Sequence, residues 1–314
     1  MKLRVILILI FAALLFSLPS CSINKMAMNM VANALTGEGS AEVFTGDSDP
    51  QLVGDAIPFA IKLYESLLSQ NPTHQGLINT TGSMFVMYAN AFVQGPAEMF
   101  PSYMFEERQE ALDRSKGLYL RGLEILSRGL ELKYPGFSGS FDNGRLPEFL
   151  AKMKKADVPA LYWSSAAGFS AYSINLLDFE LSARIPEWTA MIHRAYELDP
   201  DFNVAALDEF FIIFYASLPE ILGGDMERAE YHFGRAIEKT GGNSASAYTS
   251  YAQFIAVPAQ DYDAFKDSLE KALAIDVDKD VSMRLVNIIS QRKAIWMLDN
   301  AWTFFSFLPF PDDF

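Results

Sequence analysis

Three histidines are the residues of this sequence most able to bind a transition metal or to transfer protons near neutral pH. They are His74, His193 and His232, and no two of them lie three or four residues apart. The helical zinc pair of an HExxH motif is therefore absent. The chain also has a single cysteine, so a thiolate-based metal centre is excluded. We predict that each histidine lies at the surface or at a helix end, and that the protein holds no metal.

A run of aspartates near the C-terminus has the alternation of a calcium-binding loop. An EF-hand loop that begins at Asp276 needs Gly at its sixth position and Glu at its twelfth. The chain has Val281 and Asn287 there, so Asp276, Asp278 and Asp280 indicate a solvated acidic turn. The sequence also lacks nucleophile-elbow, Walker and GxGxxG motifs. It therefore predicts a non-enzyme that needs no cofactor.

Cys21 has a different chemistry. An unbroken apolar run at 5–16 follows Lys2 and Arg4, and it is too short to span a bilayer as a helix. The sequence Leu18-Pro19-Ser20-Cys21 matches a lipobox, with Pro19 as a departure. We predict that residues 1–20 are a signal peptide and that Cys21 carries the lipid. The alternative is a free thiol beside an ordinary signal cleavage site.

Composition narrows the partners of the chain. A net charge of −14 argues against nucleic acid as a partner. It also argues against binding to anionic lipid through a polybasic segment. Half of the residues are apolar, which is enough for a large core, yet no second stretch is long and apolar enough to span a membrane. These features predict a periplasmic protein held by lipid to the inner or outer membrane. Ser22, directly after the cysteine, favours the outer membrane.

The chain divides into three parts. Residues 1–20 are the signal peptide, 21–54 a lipidated tether and loop, and 55–314 a helical domain, because apolar residues recur there at three- and four-residue steps. We expect ten to twelve helices. Pro and Gly clusters predict helix breaks at 71–76, 94–96, 133–147, 199–201, 223–225 and 241–243.

Several of these helices resemble one repeated unit. The second helix of a tetratricopeptide repeat carries a small residue, an aromatic, an Ala and a Pro at fixed spacing. Ala60, Tyr64, Leu67 and Pro72 fit this spacing. Partial matches lie at Leu123–Pro135, Ala195–Pro200, Ala229–Gly241 and Phe265–Val277. The spacing between units is irregular, so we predict an all-α, degenerate tetratricopeptide-repeat superhelix. The alternative is a generic helical bundle.

Some helices are apolar on nearly every side. Such helices lie in the centre of a large core, or they line a cavity or partner surface. The polar residues within them need hydrogen-bond partners if buried, or else face a ligand. The helices are Met84–Val93, Leu161–Phe179 and Phe210–Leu218, and the polar residues are Asn90, Ser164, Asn175 and Tyr215.

Four stretches carry a resemblance to a known family. They are DAIPFAIKLYESLLSQNP at 55–72, MYANAFVQGPAEMF at 87–100, ALYWSSAAGFSAYSINL at 160–176 and ILGGDMERAEYHFGRAIEKTGGNSASAYTSYAQF at 221–254. With the lipobox and the repeat pattern, they resemble the T-component family of TRAP transporters. That family consists of periplasmic lipoproteins built of degenerate tetratricopeptide repeats.

The resemblance implies a role and partners. It implies a homotrimer in which each protomer docks one substrate-binding P-subunit and encloses an apolar channel. The channel ligand would be a small hydrophobic or carboxylate-bearing molecule, and an ion-driven permease would complete the system. As channel residues we predict Tyr88, Phe92, Tyr162, Trp163, Tyr172 and Asn175. The alternative function is a general repeat scaffold for envelope protein assembly.

Overall fold

The computed structural model describes residues 29–37, 39 and 42–309. Every regular element among these residues is helical, which confirms the predicted all-α class. The signal peptide, Pro19, Cys21 and Ser22 lie outside the described residues. The tetratricopeptide arrangement remains a prediction.

The elements follow one another through short connections. A first helix, α1, covers 29–36. The long helices that follow are α2 (Pro50–Gln70), α3 (Gln75–Ala89), α4 (Phe105–Lys133), α5 (Val158–Ile174), α6 (Phe179–Leu198), α7 (Ala206–Ser217), α8 (Met226–Thr240), α9 (Ala245–Tyr251), α10 (Tyr262–Leu273) and α11 (Arg284–Asp299). Short helical turns occur at Glu42–Thr45, Gly95–Glu98, Leu146–Leu150, Lys155–Asp157, Glu220–Leu222, Val281–Met283 and Ala301–Thr303. The predicted boundary between residues 54 and 55 falls inside α2.

Side-chain caps set many of the helix starts. Asp49, Asp178 and Asp225 each accept hydrogen bonds from backbone N–H groups of the first turn of the helix that follows. Such caps satisfy N–H groups that have no partner within the helix. Gly241 ends α8 with a positive φ of 57°, where a residue without Cβ avoids strain.

One predicted helix break is wrong. The segment 94–96 does not break the helix. The turn Asn90–Gln94 is a π-helix that leads directly into Gly95–Glu98. The wider i→i+5 turn comes just before Pro96, which has no N–H to donate. A second π turn, Ala252–Ala256, extends α9 in the same way.

The array closes on itself. Most consecutive helices pack together along the chain, and α11 returns to contact α2 and the turn Glu42–Thr45. Arg284 donates to the carbonyl oxygen of Gly46 at 2.8 Å, and Lys293 lies 3.5 Å from Glu98. The C-terminal helix therefore packs against elements from the beginning of the described chain.

Helix α5 contacts other helices on several of its sides. It packs against α3, α4 and α6, and its buried residues occur on several faces, as expected of a helix that is apolar all round. Gly168 allows α6 to approach closely, since a Cβ there would lie 2.3 Å from the Trp188 ring. Small residues thus let the central helix pack tightly on one side while larger side chains occupy the other.

Candidate functional site

An aromatic cluster forms around Tyr162 on the central helix. Its ring centroid lies 4.9 Å from that of Trp163, 5.3 Å from that of Phe202 and 6.3 Å from that of Phe210. All four side chains are half-buried rather than buried. Three elements therefore present partly accessible rings to one another: α5, the loop before α7, and α7.

Glu209 lies beside this aromatic cluster. It precedes Phe210 on α7, and its carboxylate adds to burial in raising the pKa of Tyr162. Burial is also the main cause of the raised pKa of Glu209 itself. Yet both side chains keep solvent-accessible surface. Tyr162 and Glu209 are therefore surrounded by protein on most sides but remain partly accessible.

Two serines at the start of α9 hold the Glu209 carboxylate. Ser244 Oγ donates to Oε1 and Ser246 Oγ donates to Oε2, each at 2.6 Å. These bonds lower the pKa of Glu209 only partly, because burial outweighs them and the neighbouring Asp208 carboxylate opposes them. Within the described part of the chain, no Lys, Arg or His forms an ion pair with Glu209, which is held there by hydrogen bonds alone.

Asp208, one residue earlier, faces a different set of neighbours. It is fully buried, and Oδ1 accepts from His232 Nδ1 at 2.7 Å and from Tyr196 at 3.2 Å. The Lys239 ammonium lies 2.7 Å from Oδ2 as an ion pair rather than as an aligned hydrogen bond. Burial alone would raise the pKa of Asp208, but His232 and Lys239 more than offset it and hold that pKa below its usual value. We name Asp208, His232 and Lys239 the buried charge cluster.

A separate cleft of about 520 Å³ opens near α11. Its walls include Glu98, Arg108, Gln253, Lys293 and Trp296. The amide oxygen Oε1 of Gln253 is buried and accepts no hydrogen bond within the described structure. Gln253 belongs to the π turn that extends α9, and Glu98 ends the short helix that follows the other π turn. Such turns occur frequently at functional sites.

A chain of hydrogen bonds leads from the cleft into the core. Glu98 pairs with Lys293 at 3.5 Å and accepts from Gln94 Nε2 at 2.8 Å. Gln94 Oε1 in turn accepts from the hydroxyl of Tyr119 at 2.6 Å, and Tyr119 is fully buried. The π turn thus positions Gln94 to connect a surface ion pair with a buried phenol.

The six predicted channel residues fall into three places. Tyr162 and Trp163 lie in the aromatic cluster. Tyr88 and Phe92 stack at 6.0 Å beside α2, where Arg114 covers the Tyr88 ring. Tyr172 lies at the far end of α5, and Asn175 is exposed beyond it, where its side chain accepts from the N–H of Leu177. The structure therefore groups two of the six beside Glu209 and does not bring all six together.

The other polar residues of the three apolar helices differ in their burial and in their hydrogen bonds. Asn90 is exposed, whereas Ser164 is buried and its hydroxyl has no hydrogen-bond partner within the described structure. Tyr215 accepts from Arg228 at 3.0 Å.

Two of the three histidine predictions are wrong. His74 does cap the start of α3, accepting from Leu77 N–H. His193 is half-buried in the middle of α6 and stacks on Phe211 at 5.1 Å, and His232 is buried in the middle of α8. Sequence reasoning missed these positions because polar residues in a helix are normally assigned to its solvated face. The pairing of His232 with Asp208 depends on how α7 packs on α8.

Three further observations concern metal binding, the acidic turn and membrane-spanning helices. The described residues contain no group of three or more His, Cys, Asp or Glu that could hold a metal ion. Asp276 and Asp280 accept bonds from nearby backbone N–H groups, as expected of an acidic turn. Among the described helices, none combines the length and apolarity needed to cross a membrane.

Comparison with known proteins identifies the family. A family model described as the TRAP transporter T-component matches residues 46–305. An uncharacterized protein of Treponema pallidum (strain Nichols) is 33% identical over 300 residues, which cover 91% of this chain and 93% of that protein. The match confirms the resemblance carried by the four stretches noted above, all of which lie within the matched region. The chain belongs to the TRAP transporter T-component family.

Proposed function

We propose that this protein is an accessory subunit of a TRAP-type transport system that docks the substrate-binding P-subunit at the periplasmic face of a membrane. The observation that carries the proposal is the family match over residues 46–305. The described part of the chain supports a non-catalytic role, because its buried carboxylate–histidine–lysine cluster is satisfied within the fold and buried from solvent.

We propose further that the interior passes a small hydrophobic or carboxylate ligand. The support is the aromatic cluster around Tyr162, which stays partly accessible inside a closed helical array. Ligand sites in proteins are usually concave and mainly apolar, with a few placed polar groups. Tyr162 and Trp163 are the proposed channel residues; Tyr88, Phe92, Tyr172 and Asn175 remain predictions.

Three further features belong to the proposal. The array is a degenerate tetratricopeptide superhelix, the protein is a homotrimer, and lipid on Cys21 holds it at the membrane, with the outer membrane favoured. Two acyl chains hold a protein stably, since each buried CH₂ contributes about 0.8 kcal/mol. Labelled palmitate should enter the wild-type protein, and Cys21→Ala should abolish both labelling and membrane retention.

The deciding experiment is co-purification with the P-subunit encoded in the same operon. Native mass spectrometry of the mature protein should show a trimer alone and a larger complex, with one P-subunit for each protomer, after mixing. A trimer that binds no P-subunit at tens of micromolar would contradict docking. Binding of envelope assembly proteins instead would favour a general repeat scaffold.

A further inference from the structure

The cleft near α11 is positively charged although the chain as a whole is acidic. Three charged residues line it: Glu98, Arg108 and Lys293. Two cations and one carboxylate leave one positive charge there, in a chain whose net charge is −14. The cleft has a volume of about 520 Å³, which lies within the usual range for small-molecule sites. A ligand with a single negative charge would neutralise it.

Neither cation is fully engaged by the fold. Within the described structure, the Arg108 guanidinium has no ion-pair or hydrogen-bond partner. The Lys293 ammonium lies 3.5 Å from Glu98, which is longer than the about 2.7–2.9 Å of a charge-assisted hydrogen bond. Glu98 also accepts from Gln94 at 2.8 Å. Both cations therefore keep donors for a ligand carboxylate, which an arginine binds through two parallel N–H groups.

A buried hydrogen-bond acceptor belongs to the wall of the same cleft. Gln253 Oε1 is buried and accepts no hydrogen bond within the described structure. A buried polar atom without a partner is costly, so buried acceptors are normally satisfied. Gln253 lies in the π turn Ala252–Ala256, a type of turn that is frequent at functional sites. A ligand that carries an N–H or O–H group would supply the missing donor.

The remaining walls of the cleft are largely apolar. The half-buried rings of Trp296 and Phe304 lie edge to face, with their centroids 6.0 Å apart. Phe100 and Met297 line the cleft with them. An apolar ligand body that packs on these side chains leaves water, which adds affinity in proportion to the apolar area buried.

We propose that this cleft binds an apolar monocarboxylate that carries one hydrogen-bond donor. Arg108 and Lys293 bind the carboxylate, Gln253 Oε1 accepts from the donor, and Trp296 and Phe304 contact the apolar body.

The proposal deepens the proposed function and rests on it only in taking the ligand of this cleft to be the transported one. None of the six predicted channel residues lines the cleft. The cleft therefore adds a site that recognises the charged end of the ligand, and it restricts the ligand to molecules with one carboxylate.

The first test compares indole-3-propionate with indole-3-propanol, which has the same ring and N–H group but no charge. Each is titrated into the full mature chain in one non-ionic detergent, and binding is followed by calorimetry and saturation-transfer NMR. We expect the acid to bind about tenfold more tightly than the alcohol, because hydrogen bonds to charged groups are the stronger ones. Equal affinities, a preference for the alcohol, or no binding of either probe would overturn the proposal.

Two arginine variants then locate the site. Arg108→Gln removes an exposed charge that has no partner in the described structure, so the fold should persist while the acid loses most of its advantage over the alcohol. Arg292→Gln is the matched control, because it removes the same charge from an exposed position next to Lys293 that does not line the cleft. The acid should keep its advantage there. An advantage that survives in Arg108→Gln, or that falls equally in both variants, would refute binding in the cleft.

Gln253→Met tests the hydrogen-bond donor. Benzothiophene-3-propionate has the shape and charge of the indole acid but sulfur in place of the N–H group. The affinity ratio of the indole acid to the benzothiophene acid should fall by about threefold in Gln253→Met, because the net contribution of one neutral hydrogen bond is lost. A ratio that stays the same in the variant would refute the role of Gln253.

The outcome is separable from that of the proposed function. Arg108→Gln should lose the acid but still co-purify with the P-subunit. Conversely, a wild-type protein that binds the acid but no P-subunit would retain this site and lose the proposed docking role.

Discussion

Asp208 and Glu209 are neighbours in the sequence, yet the fold gives their carboxylates different neighbours and shifts their pKa values in opposite directions. Successive residues of an α-helix point about 100° apart, so the two side chains of α7 meet different helices. Asp208 points towards α8 and α6, pairs with the Lys239 ammonium and accepts hydrogen bonds from His232 and Tyr196. Glu209 points towards α9, and its side-chain hydrogen bonds within the described structure come from the hydroxyl groups of Ser244 and Ser246. The pKa of Asp208 is lowered and that of Glu209 is raised.

The difference separates a carboxylate paired with a cation from one that is not. Lys239 favours the ionised form of Asp208, whereas burial without an adjacent cation favours the neutral form of Glu209. Perturbed groups of this kind cluster at functional sites. Mutations on the two sides of α7 should therefore differ in size and in sign.

Asp208→Asn should have the largest effect. Without the carboxylate, the 90% buried Lys239 side chain and His232 lose their main acceptor. Removing one member of a buried ion pair costs about 3–5 kcal/mol. We expect a loss of that size in urea unfolding at pH 7. Asp201→Asn is the matched control, because this exposed carboxylate contacts the same Lys239 at 3.0 Å and should contribute less than about 1 kcal/mol. Equal losses in the two variants would contradict the structural role of Asp208.

Lys239→Met should have the second largest effect. The methionine fills similar space but leaves Asp208 with His232 and Tyr196 as its remaining partners. Hydrogen bonds to charged groups contribute about 1.5–3 kcal/mol, so we expect a loss of about 2–3 kcal/mol, smaller than that of Asp208→Asn. Lys266→Met, which breaks an exposed pair with Glu270, should change stability by less than about 0.5 kcal/mol. A Lys239→Met protein as stable as the wild type would show that the hydrogen bonds from His232 and Tyr196 suffice for Asp208.

The sequence predicts much of the helical fold but little of the difference between Asp208 and Glu209. The apolar character of α5 on every side correctly places it in the centre, and Gly168 with its small neighbours is consistent with close helix packing. Asp208 and Glu209 occupy the first turn of α7, where acidic residues are commonly explained by the helix dipole. Only tertiary packing shows that Asp208 meets a lysine and Glu209 two serine hydroxyls. The π turns are likewise invisible, because an i→i+5 turn has no residue spacing of its own.

Glu209→Gln should raise stability at pH 7 by about 1 kcal/mol, since the native carboxylate there lacks a counter-ion. The pH dependence follows from the raised folded-state pKa. Such a group stabilises most below its unfolded value of 4.5, and that stability is lost as pH rises through the folded pKa. The advantage of the variant over the wild type should therefore grow from pH 4.5 upward. Denaturation curves at a series of pH values measure it, and a constant difference would show that Glu209 ionises normally.

Asp208 should change the folding stability with pH in the opposite direction in the same experiment. Its folded-state pKa is lowered, so its contribution is present above the unfolded value of 3.8 and is lost as pH falls through the folded value. Both the wild type and Glu209→Gln should lose stability in that acid range, because both retain Asp208. If the loss of stability in acid disappeared in Glu209→Gln, it would have to be assigned to Glu209 and not to Asp208.

Ser246→Ala should have the smallest effect and should sharpen the interpretation of Glu209. It removes one of the two donors to the carboxylate, at Oε2, and leaves Ser244 on Oε1. We expect a loss of about 0.5–1 kcal/mol at pH 7, because the ionised form loses a hydrogen bond. In a Glu209→Gln background the same change should lose less, since no charge remains to be held. The interaction energy from this double-mutant cycle measures how strongly the serine holds the charge. If the two losses are equal, Ser246 does not hold the charge, and Ser244, the N-cap of α9, alone positions the carboxylate.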